Sequence, residues 1–169
     1  KINGICEEHL KPVIAKLREM GVIIEVSDCS IEVNGDVDLK PVDIKTMPYP
    51  GFPTDMQAQI AGLLSTVKGT SVISETIFEN RFMYVQELKR MGANIKIDGR
   101  SAIIEGVNKL SGAEVKATDL RAGATMILCG LAAEGETVIS DIFHIDRGYY
   151  NIEDKFKMLG ASIERVSSS

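Results

Sequence analysis

The sequence has 169 residues, 44% of them hydrophobic and 25% charged, the composition of a single globular domain able to build a core without disulfide or metal staples. Nineteen basic residues against 24 acidic ones leave a net charge of −5, which argues against a nucleic-acid binder working by phosphate neutralisation. No apolar run approaches the ~18 residues of a bilayer span, and three scattered cysteines without a CxxC spacing (Cys6, Cys29, Cys129) point to reduced cytoplasmic thiols rather than a disulfide framework or zinc site.

In chain order, Lys1-Ile2-Asn3-Gly4 shows neither an initiator Met nor a signal-peptide pattern, and the chain reads as beginning inside something longer. Leu10, Val13, Ile14 and Leu17 recur at helical spacing and predict a helix over residues 7–20. Alternation around Ser27-Asp28 predicts strands at 22–26 and 30–34, followed by one at 42–46. Thr54 or Asp55 is expected to cap a helix reaching about residue 67, before a strand at 70–74. The pattern then recurs: a helix over 81–91, strands at 93–97, 101–105 and 113–117, and a longer helix over 119–133. A strand at 136–140, a helix over 149–159 and a final strand at 161–166 complete the expectation, with Ser167-Ser168-Ser169 as a frayed end.

The recurrence is an internal repeat. Leu17-Arg18-Glu19-Met20-Gly21 returns as Leu88-Lys89-Arg90-Met91-Gly92 and, less completely, as Phe156-Lys157-Met158-Leu159-Gly160. Each reads as a helix end with glycine at its C-terminal cap, then a strand. Thr54-Asp55 matches Thr118-Asp119, and Gly69 to Glu75 matches Gly135 to Asp141, an offset that also pairs Arg81 with Arg147. The first copy carries an insertion, Met47 to Pro53, with three prolines. The fold class is therefore α/β with repeated units, not a doubly wound sheet.

Asp55 and Asp119 both follow Thr at a helix start. One reading is a capping carboxylate; the other, favoured for Asp55 by the rigid proline loop before it, is a general base toward a hydroxyl. Arg81 and Arg147 are each expected to begin a helix, and Arg121 to lie in a first turn, where a cation opposes the helix dipole. Beside free backbone N–H groups they suit an anionic small molecule with carboxylate or phosphate groups. The competing reading pairs them with Glu79, Asp119 and Asp146. His144 has no histidine partner, Cys129 sits among core residues, and Gly106, Gly112, Gly130 and Gly135 form neither a GxGxxG nor a Walker motif.

At Phe52-Pro53-Thr54-Asp55-Met56-Gln57-Ala58-Gln59, Glu75-Thr76-Ile77-Phe78-Glu79-Asn80-Arg81-Phe82-Met83, Lys109-Leu110-Ser111-Gly112-Ala113, Ala117-Thr118-Asp119-Leu120-Arg121-Ala122 and His144-Ile145-Asp146-Arg147-Gly148-Tyr149, the chain resembles the UDP-N-acetylglucosamine enolpyruvyl transferase family. The resemblance spans essentially the whole chain, with Gly123 standing where the family often has Ser and Tyr84 where it often has His. It implies an inside-out α/β barrel of repeated β/α units, helices inside and sheets outside, in a protein of two halves with substrates between them. On that reading residues 1–169 are one globular domain from the C-terminal half, with repeats at about 7–80 and 81–146 and a partial third copy at 147–166.

The resemblance further implies transfer of the enolpyruvyl group from phosphoenolpyruvate to the 3-hydroxyl of UDP-N-acetylglucosamine in peptidoglycan synthesis, without cofactor or metal. Asp55 is then the candidate base at the sugar hydroxyl, and Thr54 and Ile77 line the nucleotide-sugar site. Arg81, Arg121 and Arg147 bind phosphoenolpyruvate, supported by Glu79 and Asp119. The family's methylene-protonating Cys lies in the other half, and none of Cys6, Cys29 or Cys129 matches its motif, so this chain alone is expected to be inactive. The implied partners are the two substrates and the missing N-terminal half, not nucleic acid or membrane. A non-catalytic ligand-binding or interaction module on the same fold is the alternative.

Overall fold

A computed structural model describes residues 1–166; the expected frayed end at Ser167-Ser168-Ser169 lies outside the described residues. Strand β1 (Ile2–Asn3) precedes helix α1 (Glu7–Glu19), hairpin strands β2 (Ile23–Ser27) and β3 (Ser30–Asn34), and the short β4 (Ile44–Lys45). A 3-10 turn (Thr54–Met56) leads into α2 (Gln57–Leu64), and β5 (Thr70–Ser74) ends the first unit. The second unit is α3 (Tyr84–Arg90), β6 (Asn94–Asp98), β7 (Ser101–Glu105), β8 (Glu114–Lys116), α4 (Leu120–Ala132) and β9 (Val138–Ser140). Two further helices follow, α5 (Phe143–Asp146) and α6 (Ile152–Met158).

The repeat is visible in the helix ends. Gly21, Gly92 and Gly160 all take positive φ (103°, 89° and 92°), a conformation that costs glycine nothing. After α1, Gly21 N–H donates to Arg18 O and Val22 N–H to Leu17 O; the same two bonds, with matching spacing, close α3 and α6. This is the paired-bond termination that satisfies the last helical carbonyls.

Strand pairing repeats too. β5 lies parallel to β4 and antiparallel to β7, giving the sheet order β4-β5-β7-β6. β8 and β9 form the equivalent parallel pair. β1, which the sequence reading omits, pairs with β3 through Asn3↔Ser30, just as β5 pairs with β7 through Ser74↔Ser101. It occupies the place of β5 one unit earlier. The expected strand at 161–166 does not form. In both complete units the first hairpin strand bonds only to the second, and residues 161–166 have no such strand to bond among the described residues.

Six of the eight residues of α2 are buried, and α2 runs beside α4 so closely that a Cβ on Gly62 would lie 2.6 Å from Cys129 Sγ. The strands alternate buried and exposed positions, so the helices lie inside and the sheets face outward. The described residues form no closed barrel but two stacked units of this inside-out arrangement, with helix starts α2 and α4 side by side.

Candidate functional site

The proline insertion is closed by Met47 N–H to Phe52 O (2.9 Å) and Gly51 N–H to Pro48 O (2.8 Å), and buried Phe52 anchors it. It delivers the chain to the 3-10 turn. Neither Thr54 nor Asp55 caps it: Pro53 holds the capping position and no side chain accepts there. The reason is that the Thr54 hydroxyl is already committed, donating to Glu75 Oε2 at 2.8 Å. Asp55 is therefore left facing outward.

Asp119, its counterpart, does cap. It opens α4 in an extended conformation and accepts from the N–H groups of Arg121 (2.7 Å) and Ala122 (2.9 Å). Capping fixes the start of α4 and with it Arg121, whose guanidinium crosses to the neighbouring unit. Its Nε donates to Asp55 Oδ1 at 2.6 Å and its Nη2 lies 2.5 Å from the same oxygen. Arg121 thus pairs with the candidate base, not with Asp119.

Arg81 and Arg147 do not begin helices. Arg81 lies in the loop before α3, and Arg147 is the C-terminal cap of α5, where a cation suits the dipole. The expected helix starts fail because the helices that follow, α3 and α6, begin only at Tyr84 and Ile152. Neither arginine has a carboxylate partner among the described residues. Arg81 lies over the Phe78 ring, 4.1 Å from its centroid, a cation–π contact that keeps its N–H groups available. Asp146, the expected partner of Arg147, is gripped by Arg165 through two bonds of 2.9 and 2.7 Å. Gly148, next to Arg147, packs against the start of α4: a Cβ on Gly148 would lie 2.8 Å from the side chain of Leu120, the first residue of α4.

Glu75, to which the sequence assigns no site role, organises the space between. It is buried and accepts four bonds: Thr54 Oγ1 and Gln57 Nε2 on Oε2, both 2.8 Å, and the N–H groups of Ile77 (2.7 Å) and Phe78 (3.0 Å) on Oε1. Burial alone would raise its pKa, but the Phe78 and Ile77 amides and the Thr54 and Thr46 hydroxyls outweigh it and hold the carboxyl below its ordinary value. Arg100, also unforeseen, donates to Glu75 O (3.0 Å) and Phe78 O (3.2 Å). The only sequence signal was an acidic residue closing the strand at both repeat positions, Glu75 and Asp141, which does not tell the buried one from the exposed one. Ile77 is half-exposed and Glu79 exposed, so both border the open side.

Cys129 is buried, which pushes its thiol up to about 12, and it is core as expected. His144 stacks on Phe143, ring centroids 4.0 Å apart. Among the described residues no group of three His, Cys, Asp or Glu side chains lies close enough to hold a metal, and no helix is long and apolar enough to cross a membrane.

A buried carboxylate thus holds two segments together, Asp55 is paired to Arg121, and Arg81 and Arg147 have no carboxylate partner among the described residues. Residues 1–156 match the family described as EPSP synthase (3-phosphoshikimate 1-carboxyvinyltransferase), and the chain belongs to this family of enolpyruvyl transferases. Within it the likeness is to UDP-N-acetylglucosamine 1-carboxyvinyltransferases. The Clostridium tetani enzyme numbered 2 is 65% identical over 166 residues, covering 98% of this chain and 40% of that relative. The Desulfofundulus thermocisternus enzyme is 58% identical over 165 residues, covering 98% and 68%. Among solved structures, the enolpyruvyl transferase NikO from Streptomyces tendae superposes with a TM-score of 0.87 at 29% identity, over 95% of this chain and 37% of that one. The chain spans about 40% of the length of most curated relatives it matches.

Proposed function

We propose that this chain is the C-terminal part of an enzyme that transfers the enolpyruvyl group of phosphoenolpyruvate to the 3-hydroxyl of UDP-N-acetylglucosamine, a cytoplasmic step of peptidoglycan synthesis. The observation that carries the reading is the Asp55–Arg121 pair: a base candidate and a phosphate-binding candidate meet at two adjacent helix starts. Sequence identity to transferases of this specificity supports it.

In this reading Asp55 accepts the proton of the sugar hydroxyl as its oxygen bonds to C2 of phosphoenolpyruvate, while an acid from the rest of the protein protonates C3. Loss of a C3 proton and departure of inorganic phosphate then restore the double bond. Arg81, Arg121 and Arg147 steady the phosphate and carboxylate through the tetrahedral intermediate. Asp119 acts by fixing Arg121 rather than by touching substrate. Thr54 and Ile77 line the nucleotide-sugar side, and Glu79 borders the arginines. When an anion takes Arg121, Asp55 is released from its pair, so arrival of phosphoenolpyruvate frees the base.

The experiment uses the full-length enzyme carrying this segment: phosphate release from phosphoenolpyruvate in the presence of UDP-N-acetylglucosamine, with Asp55→Ala beside it. The expected result is a large fall in kcat with nucleotide-sugar binding largely retained, since a base acts in the transition state. Absence of phosphate release by the unmutated enzyme, or an unchanged rate in Asp55→Ala, overturns the reading.

A further inference from the structure

We propose that Glu75 is a positioning residue that ties the turn carrying Asp55 to the loop carrying Arg81, and so sets the candidate base and an anion-binding arginine at a fixed spacing. The proposal rests on the enolpyruvyl-transfer reading for its kinetic consequence, but its geometric content stands by itself.

Glu75 is 2% exposed at the end of β5. Its two oxygens divide the work. Oε2 takes the Thr54 hydroxyl and the Gln57 amide, which bracket Asp55; Oε1 takes the Ile77 and Phe78 N–H groups. Phe78 in turn carries Arg81 on its ring. From Asp55 to Arg81, then, the connection passes through one carboxylate. Arg100 fastens the far side of the same loop from β7's hairpin.

The second unit supplies the control. There Thr118, Arg121 and Asp141 stand where the first has Thr54, Gln57 and Glu75. Asp141 is exposed, the Thr118 hydroxyl is buried without a partner, and Arg121 turns to Asp55. A parallel strand pair and an inner helix form there all the same, although among the described residues no 3-10 turn precedes that helix. The architecture thus does not require a buried carboxylate at this point, and burying one carries a desolvation cost that the fold alone does not explain. Besides the proline insertion and the 3-10 turn it leads into, the first unit has, and the second lacks, a base candidate on the turn and a loop stacked under an arginine.

Glu75→Gln removes the charge and keeps the volume. Gln57 Oε1 has no partner, so its amide can turn over and accept from the introduced side chain, which allows the variant to fold. In the full-length enzyme, Glu75→Gln, Thr54→Val and their combination are compared by melting temperature, by kcat and KM for each substrate, and by amide exchange at residues 54–57 and 77–78. The expected result for folded Glu75→Gln is a kcat lowered by about a hundredfold, as for a misplaced reactive group, with nucleotide-sugar KM changed less than about threefold. Exchange protection at Ile77 and Phe78 should weaken, because a neutral amide oxygen accepts their N–H groups less strongly than a carboxylate does, and Thr54→Val should reproduce part of the kinetic loss without adding to it. A melting temperature that falls while kcat and exchange stay at parent values overturns the proposal. If the parent itself releases no phosphate, the transfer reading fails, and exchange alone decides: protection at Ile77 and Phe78 unchanged in Glu75→Gln overturns positioning, and weakened protection supports it. Should Glu75→Gln not fold, unchanged kcat and exchange in Thr54→Val overturn the proposal.

Discussion

Asp55 and Arg121 come from different repeats yet share one hydrogen-bonded ion pair, Nε to Oδ1 at 2.6 Å. The Asp55 side chain is 64% exposed and that of Arg121 31%, so water screens the pair and it contributes only ~0–1 kcal/mol to stability. A ligand phosphate or carboxylate making charge-assisted bonds worth ~1.5–3 kcal/mol outcompetes it. The pair is strong enough to align both groups and weak enough to open.

Arg121→Met should therefore leave the melting temperature within a few degrees of the parent, because little stability resides in the pair and the backbone N–H that Asp119 caps is retained. In the full-length enzyme, phosphoenolpyruvate KM should rise at least about tenfold, from the lost charge-assisted contact. A steep stability loss with unchanged KM would place Arg121 in the scaffold rather than the site.

The lowered pKa of Glu75 gives stability a pH dependence of definite sign. A carboxyl depressed in the fold stabilises it fully above its unfolded value of ~4.3 and loses that contribution as pH falls through the folded value. Asp146 and Glu153, lowered by hydrogen bonds from Arg165, act in the same direction but are common to parent and Glu75→Gln. Urea unfolding of both proteins from neutral pH downward should show the parent's advantage shrinking below about pH 4. An advantage that stays constant or grows on acidification contradicts the hydrogen-bonded, ionised carboxylate described above.

What the sequence made legible is what single residues announce. Gly21, Gly92 and Gly160 mark their helix ends because only glycine is comfortable at positive φ, and Asp119 marks its helix because a capping carboxylate bonds within three residues. Glu75 escaped notice because Thr54 and Gln57 lie 21 and 18 positions away in sequence. Asp55 looked like Asp119 in sequence but behaves otherwise, since the neighbouring Thr54 hydroxyl is drawn off by that same distant carboxylate. Residues 161–166 carry strand-like alternation but pair with no strand among the described residues, so alternation by itself did not make a strand there.

Repeat-equivalent glycines should respond differently to substitution. A Cβ on Gly106 would lie 1.7 Å from Val67 O, a backbone atom that cannot rotate aside, whereas Gly35, at the same point of the first unit, has nothing within 4 Å. Gly106 also donates to Gly69 O, locking the end of β7 against the α2–β5 connection. Gly106→Ala should cost at least ~1–3 kcal/mol, the range of overpacked cores, and Gly35→Ala should stay within about 0.5 kcal/mol. Chemical denaturation of the two variants checks this; equal effects would show that the two positions are packed alike.

Arg147 offers the test in which structure and function separate most cleanly. It caps the C-terminus of the four-residue α5, where a cation contributes at most ~0.3–1 kcal/mol with the helix dipole. Asp146, its neighbour, is held by Arg165, and no carboxylate pairs with Arg147 among the described residues. Replacement by Gln therefore removes only the weak dipole term from stability, and the melting temperature should fall by no more than a few degrees. If the side chain holds phosphoenolpyruvate, the same change removes a charge-assisted contact and weakens affinity about tenfold or more. Arg147→Gln in the full-length enzyme, read by melting temperature and phosphoenolpyruvate titration together, decides the matter. Weakened affinity with near-parent melting assigns Arg147 to the anion site; unaltered affinity removes it, leaving Arg81 and Arg121 to carry the anion alone.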